Sequence, residues 1–246
     1  MKQTKIIMGM PITIEIVDEQ ATKKTFQEIF AYFRSVDEKF SPYKSTSEVS
    51  LINNGRIRPS QMSREMKEIL ALAEKTKLAT KGYFDVYHKG VFDPSGIVKG
   101  WAIQQAVLLL QEKGMKNFFV DAGGDIQVSG KNRKGKPWRV GIRNPFDRFQ
   151  HIKVLSVGDE GVATSGTAIR GQHIYNPHRL DSPPKSIVSL TVIGPNVYEA
   201  DRFATAAFAM EKEGIYFIES LPGFEGYMID NNGMATYTTG FENYSL

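Results

Sequence analysis

Apolar stretches of strand length follow one another through the second half of the chain, without regular helices between them. They run over residues 118–120, 126–128, 138–142, 152–157 and 187–193. A doubly wound parallel sheet needs strands and helices in regular alternation, because each parallel crossover usually contains a helix. The sequence lacks that alternation. It therefore predicts an α+β fold, in which a mainly antiparallel sheet packs with several helices.

The remaining elements follow from apolar spacing and from turn residues. Alternating apolar residues from Ile6 to Ile16 predict one long, half-buried strand at the start. Near the end, Asn231–Gly233 is typical of a tight turn in a hairpin over residues 227–238. The sequence predicts helices over residues 20–39, 47–51, 63–80, 99–114 and 197–210. Residues 130–136 resemble a hairpin loop more than a linker, so we expect a single domain over residues 1–246.

Composition excludes several kinds of site. The 246-residue chain has no cysteine, which excludes disulfides, thiolate metal sites and a cysteine nucleophile. The net charge of +4 is modest, and no basic stripe with interleaved aromatic residues indicates nucleic-acid binding. No apolar run is long enough to span a membrane, and no signal-peptide pattern precedes the first strand. We therefore expect a cytoplasmic location.

Two segments rich in small residues have both a structural and a functional interpretation. Residues 93–100 enter a helix, where backbone N–H groups and Lys99 would suit a phosphate. A capped helix start with a solvated lysine explains the same residues. Residues 121–125 contain Gly123 and Gly124 between two strands. Paired glycines allow close approach to a ligand, but they equally make a turn.

Two further segments carry polar groups that suit chemistry. Hydroxyl groups and a glycine in residues 163–167 would suit a phosphate or a ribose, and His173 is a possible proton acceptor or a structural histidine. Asp201 and Thr205 share one face of a predicted helix, where a carboxylate and a hydroxyl suit Mg²⁺. The alternative is an acid that complements the helix dipole, with Thr205 bonded to its own helix.

Taken in order, short segments of the sequence resemble the FAD:protein FMN transferase (ApbE-type flavin transferase) family, in a short form. The resemblance covers nearly the whole chain and rests on Met8 to Pro11, Phe40 to Tyr43, Ser47 to Ser50, Gly82 to Asp85, Asp93 to Gly100, Gly123 to Asp125, Thr164 to Gly166, His173 to Pro177, and Ala200 to Thr205. Each piece is weakly specific, but their fixed order is specific. One departure is the short spacing between Asp85 and Asp93, where many members have some tens of residues more.

The resemblance implies an enzyme that binds FAD with Mg²⁺ and transfers the FMN half to a Thr or Ser hydroxyl of a client flavoprotein, releasing AMP. It implies His173 as the catalytic base. It implies that Gly96, Asp201 and Thr205 hold the metal. The residues implied to contact FAD are Met8, Tyr43, Tyr83, Phe84, Asp85, Asp93, Lys99 and Tyr175.

Two alternatives stay open beside the transferase. The same site with water as the nucleophile would make an FAD pyrophosphatase that yields FMN and AMP. A flavin-binding protein without catalytic activity is the other alternative. For attack by a hydroxyl, the negative charge of the pyrophosphate must first be neutralised, and Mg²⁺, the predicted helix start and Lys99 would supply the positive charge.

Overall fold

An eight-stranded sheet, antiparallel at every pairing, forms the centre of the molecule, with strand order β1-β2-β5-β6-β9-β10-β11-β12. The computed structural model describes residues 1–147, 149–167, 171 and 174–246. The strands of this sheet are β1 (Lys2–Ile7), β2 (Met10–Ile16), β5 (Phe118–Ala122), β6 (Asp125–Ser129), β9 (Gly161–Gly166), β10 (Ile187–Gly194), β11 (Glu225–Asp230) and β12 (Ala235–Tyr237). The predicted α+β fold is therefore confirmed.

Two short antiparallel pairs lie outside this sheet. The first pair is β3 (Tyr87–His88) with β4 (Val91–Phe92), and the second is β7 (Trp138–Arg143) with β8 (His151–Val157). We call the second pair the β7–β8 ribbon. The helices are α1 (Lys23–Phe40), α2 (Glu48–Asn53), α3 (Arg64–Ala79), α4 (Ser95–Glu112), α5 (Val197–Ala209) and α6 (Gly214–Glu219). Short 3-10 helices occur at Pro59–Gln61, Glu211–Glu213 and Phe241–Tyr244.

The predicted single strand over residues 6–16 is wrong, because the structure has a hairpin there. Met8 and Gly9 both have positive φ, at 57° and 70°, and form the two-residue turn between β1 and β2. Such a turn matches the twist of the flanking strands. Ile6 is 73% exposed on the outer strand β1. The alternation of apolar residues in β1 therefore did not indicate that their side chains are buried.

The ends of the helices follow local chemistry closely. The side chains of Ser47 and Ser63 accept hydrogen bonds from the backbone N–H groups of Ser50 and Met66, which caps α2 and α3. Helix α4 starts at Ser95, four residues before the predicted start, with Gly114 at φ 78° just beyond its end. Residues 95–98 of the segment predicted to enter this helix therefore form its first turn.

Apolar residues pack on both faces of the sheet. On one face, helices α1, α3, α4 and α5 cover β2, β5, β9 and β10. On the other face, the β7–β8 ribbon covers β6 and β11, with Trp138, Val140 and Ile142 turned toward the sheet. Because side chains alternate along a strand, the neighbouring residues Val192 and Ile193 pack into the apolar cores on opposite faces of the sheet.

The sheet opens between its two halves. Strands β6 and β9 pair through two residue pairs, Ile126 with Val162 and Gln127 with Gly161. Beyond this pairing, the side chain of Asp125 bridges the strands, since its Oδ1 accepts a hydrogen bond of 3.1 Å from the Thr164 backbone N–H. This opening lies next to the first turn of α4.

Candidate active site

A pocket of about 690 Å³ extends through this opening, from the helices to the β7–β8 ribbon. It is lined by the first turn of α4, the turn between β5 and β6, the end of β9, one face of α5 and the ribbon. Nine of the residues implied by the family resemblance line this one pocket: Tyr83, Phe84, Asp85, Asp93, Gly96, Lys99, Tyr175, Asp201 and Thr205. Residues far apart in the sequence are thus brought to a common cavity.

Helices α4 and α5 cross closely at Gly100, and Gly96 lies one turn earlier on the same side of α4. A Cβ atom added to Gly100 would lie 2.8 Å from the Cβ of Asp201, and one added to Gly96 would lie 3.5 Å from the Cγ2 of Thr205. The pairs are four residues apart on each helix, so they repeat once per turn. This crossing places Gly96, whose backbone carbonyl is a possible metal ligand, beside Thr205, whose side chain carries a hydroxyl.

Asp201 is bonded across the crossing to the backbone of the other helix. Its Oδ2 accepts a hydrogen bond of 2.8 Å from the backbone N–H of Gly100, and the residue is 3% exposed. The alternative of an acid that only complements its own helix dipole therefore does not describe Asp201. Burial raises the pKa of Asp201; the Lys99 ammonium opposes this rise, and the Asp125 carboxylate adds to it.

Lys99 is a partly buried lysine that lies between two carboxylates. Its Nζ is 2.5 Å from Asp125 Oδ2 and 3.5 Å from Asp201 Oδ1. The alternative of a solvated lysine at a helix start is therefore wrong. When both carboxylates are ionised, this cluster carries one excess negative charge in a region of low exposure.

The turn between β5 and β6 is both a tight turn and part of the pocket wall, so the structural and the functional interpretations of its sequence both apply. Gly123 and Gly124 have positive φ, at 66° and 103°, and close the hairpin, while both also line the pocket. Asp121 accepts a hydrogen bond of 2.8 Å from Gly124 N–H. The turn therefore fixes Asp125 as the first residue of β6, where it reaches both Lys99 and β9.

Residues 81–89 and 175–181 contact each other along one wall of the pocket. The Tyr175 hydroxyl donates a hydrogen bond to the Asp85 carbonyl, and the Tyr175 ring lies 4.0 Å from the His88 ring, measured between centroids. Tyr83 meets His178 edge to face at 4.5 Å. The Asp85 carboxylate itself pairs with Lys77 at 2.7 Å. The side chain of Asp85 is thus partly committed to the fold.

The ribbon side of the pocket was not identified from the sequence. Arg139, Gly141 and Arg143 share one face of β7, and the His151 ring of β8 lies over Gly141, where an added Cβ would be 2.3 Å from its Cδ2. The alternation of these residues with Trp138, Val140 and Ile142 is a readable signal that a polar strand face exists. What the sequence could not show is that this face meets the helix side through the open sheet.

Three of the implied residues are not placed in this pocket. Met8 lies in the turn between β1 and β2, and Tyr43 is 94% exposed in the loop after α1. Neither belongs to the pocket lining. His173 lies outside the described residues, although Ile174 and Tyr175, which follow it, line the pocket. The roles of Met8, Tyr43 and His173 stay predictions.

The described part of the chain contains neither a side-chain metal cluster nor a helix that could cross a membrane. Within it, no group of three or more His, Asp or Glu side chains gathers as in an all-side-chain metal centre. Across the same residues, no helix combines the length and the apolar character needed to cross a membrane.

A comparison with known protein families shows the family to which the chain belongs. A sequence model described as the ApbE family matches residues 8–93 and 87–228. The chain belongs to this family. The two matched segments overlap at residues 87–93, which include the β3–β4 hairpin and lie at the short spacing between Asp85 and Asp93.

Curated relatives and solved structures agree with this assignment. The protein named FAD:protein FMN transferase from Haemophilus influenzae is 24% identical over 96% of this chain and 90% of its own length. The one from Vibrio cholerae is 34% identical over 49% of this chain, and this match spans 39% of that relative's length. The solved flavin transferase ApbE from Vibrio cholerae has a TM-score of 0.85 at 24% identity, covering 99% of this chain and 98% of that one. The ApbE protein of Thermotoga maritima has a TM-score of 0.87 at 20% identity, covering 100% and 99%.

Proposed function

We propose that this chain transfers the FMN half of FAD to a Thr or Ser hydroxyl of a client flavoprotein and releases AMP. The observation that carries the proposal is the meeting of Gly96, Lys99, Asp201 and Thr205 at the α4–α5 crossing, inside one pocket. The names of the relatives support the same activity. The cytoplasmic location expected from the sequence stays a prediction.

The shape of the pocket suits a long dinucleotide. Its volume of about 690 Å³ lies in the range of small-molecule sites, and it extends from the first turn of α4 to the β7–β8 ribbon. The start of a helix carries partial positive charge, which together with Lys99 suits the pyrophosphate at the middle of FAD. Aromatic residues also line the pocket, among them Phe84 beside Gly96 and Phe119, and would contact the ring systems.

The residues at the helix crossing fit a Mg²⁺ ion. Buried carboxylates with one excess negative charge are costly, and a divalent cation would relieve that cost. The carbonyl of Gly96, the carboxylate of Asp201 and the hydroxyl of Thr205 are oxygen donors of the kind that Mg²⁺ prefers. When bound, Mg²⁺ would neutralise charge on the pyrophosphate.

The transfer step can be written with its atoms balanced. The client hydroxyl oxygen attacks the phosphorus on the FMN side, and a new phosphoester bond forms. The bond from that phosphorus to the bridging oxygen breaks, and AMP leaves with the electron pair. We propose that His173 accepts the hydroxyl proton, because a neutral imidazole is a suitable base near neutral pH. Lys99 and the first turn of α4 would hold the pyrophosphate while the bond breaks.

The experiment that tests the proposal measures AMP from FAD and Mg²⁺, with and without an acceptor flavoprotein prepared free of covalent FMN. We expect AMP only with the acceptor, together with flavin fluorescence on the acceptor after denaturation. AMP without the acceptor would instead show a pyrophosphatase. No AMP under either condition, with FAD still bound, would show a flavin-binding protein and contradict the proposal.

A further inference from the structure

The Lys99 ammonium is shared unequally between two buried carboxylates. It lies 1.0 Å closer to the nearest oxygen of Asp125, at 2.5 Å, than to that of Asp201, at 3.5 Å. Asp125 is 1% exposed and Asp201 is 3% exposed. In a region of such low exposure, the partner that Lys99 pairs with changes the charge available to any other ligand.

Asp125 is held in place by the strands rather than by Lys99. It is the first residue of β6, and its Oδ1 accepts the hydrogen bond from Thr164 N–H on β9 at 3.1 Å. Its other oxygen, Oδ2, is the one that meets Lys99. The carboxylate therefore has a fixed position from which it attracts a long and flexible side chain.

The Asp201 carboxylate contacts the backbone of α4 and the Lys99 ammonium, and it also lies within hydrogen-bond reach of the Asp125 side chain. Its Oδ2 accepts from Gly100 N–H at 2.8 Å, and its Oδ1 faces Lys99 at 3.5 Å. If Asp125 carried no charge, Asp201 would be the remaining carboxylate beside the Lys99 ammonium. Lys99 would then pair with Oδ1 and cancel the charge of Asp201.

We infer that Asp125 is a positioning residue, which draws Lys99 away from Asp201 and so leaves the Asp201 carboxylate available to a divalent cation. Asp125 itself need not touch the cation or FAD. The inference rests on the proposed function only through the assignment of Mg²⁺ to Asp201.

A purely structural role for Asp125 makes a different prediction. If Asp125 only joins β6 to β9, an asparagine would serve as well, because its amide oxygen can still accept the hydrogen bond from Thr164. Asp125→Asn separates the two roles, since it keeps that acceptor and removes the charge that attracts Lys99. Asp121→Asn is the matched control, because it removes a carboxylate from the same hairpin, where Asp121 accepts from Gly124 N–H.

The test is a calorimetric titration of each purified, FAD-free protein with Mg²⁺, with the Mg²⁺-induced rise in melting temperature as a second readout. We expect Asp125→Asn to bind Mg²⁺ about 10- to 100-fold more weakly than the parent, the usual effect of losing an outer partner of a metal ligand. We expect Asp121→Asn to stay within about threefold of the parent, because the amide oxygen still accepts from Gly124 N–H and the Lys99 ammonium remains beside the Asp125 carboxylate.

The double variant Asp125→Asn/Lys99→Met supplies the decisive comparison. It has the same net charge in the cluster as the parent, with Asp201 as the one charged group, so we expect it to recover most of the Mg²⁺ affinity. The inference is overturned if Asp125→Asn binds Mg²⁺ like the parent, if the double variant stays as weak as Asp125→Asn, or if Asp121→Asn is weakened equally. A parent that binds no Mg²⁺ would overturn it together with the metal assignment, while a separate FAD titration tests the flavin site by itself.

Discussion

Lys99 and Asp201 acquire their chemistry from burial. Taken alone, each is explained as a solvent-facing charge on a helix, and the sequence offers that interpretation as readily as a functional one. In the structure, the two side chains lie within 3.5 Å of each other and Asp125 approaches Lys99 more closely still. A buried charge is stabilised by an opposite charge or by hydrogen bonds. The ion pairs of Lys99 therefore determine how much negative charge Asp201 can offer to a cation.

The residue with the clearest individual prediction is His173. If it is the base, His173→Asn should lower the rate of FMN transfer by a factor on the order of 10²–10⁴, while FAD and Mg²⁺ affinities hold. The measurement is a single-turnover transfer rate beside a fluorescence titration with FAD on the same preparation. A variant with an unchanged rate per folded molecule would assign His173 a structural role instead.

At the scale of elements, the crossing of α4 and α5 depends on Gly100. The spacing of Asp201 and Thr205 predicted a shared helix face, and it predicted nothing about the helix that this face would meet. Gly100 of α4 permits that meeting, because a Cβ atom there would lie 2.8 Å from Asp201 Cβ and 3.1 Å from the Tyr198 backbone.

We therefore expect Gly100→Ala to disturb the site through its geometry. The new methyl group would meet Asp201 Cβ at 2.8 Å, so the helices must separate, at a cost of about 1–3 kcal/mol in the free energy of unfolding. Mg²⁺ affinity should fall with it. Gly114→Ala is the control: it strains a positive φ of 78° in open space and should cost about 1–2 kcal/mol without changing Mg²⁺ binding. Urea unfolding and Mg²⁺ titration of both variants check this, and equal Mg²⁺ affinities would contradict it.

At the scale of the whole molecule, contacts between distant segments hold the layers in register. Asp18, just after β2, accepts hydrogen bonds from the backbone N–H groups of Lys116 and Asn117 at 2.9 and 2.8 Å, which ties the end of α4 to the sheet. Burial alone would raise the pKa of Asp18, but these bonds and the one from the Asn117 side chain outweigh it and lower that pKa.

A lowered pKa gives this contact a defined pH dependence. Ionised Asp18 stabilises the folded chain above its unfolded pKa, near 3.8, and that contribution is lost as the pH falls through the lower folded value. Asp18→Asn should therefore lower the free energy of unfolding by about 1 kcal/mol at pH 6, allowing for solvent screening, and much less at pH 3. Urea unfolding of both proteins at the two pH values measures this. A difference that is the same at both pH values would show that the charge does not matter.

The sequence by itself determined the class of fold, most elements and several helix ends, because these depend on residues a few positions apart. Ser47, Ser63 and Gly114 mark helix ends by local hydrogen bonding or by local backbone conformation, and they do so in the structure. The same locality explains the error at residues 6–16, where an alternating pattern is equally compatible with one strand or with two strands joined by a turn.

Only the tertiary structure decided how the predicted site residues combine. It showed that β6 and β9 separate beyond two residue pairs, that the pocket passes through this opening, and that the ribbon with Arg139 and His151 closes its far side. It also paired Lys99 with Asp125 and left Tyr43 exposed. Contacts of this kind join residues tens of positions apart, and a sequence pattern records the periodicity of each element without recording which faces meet or how far two paired strands stay together.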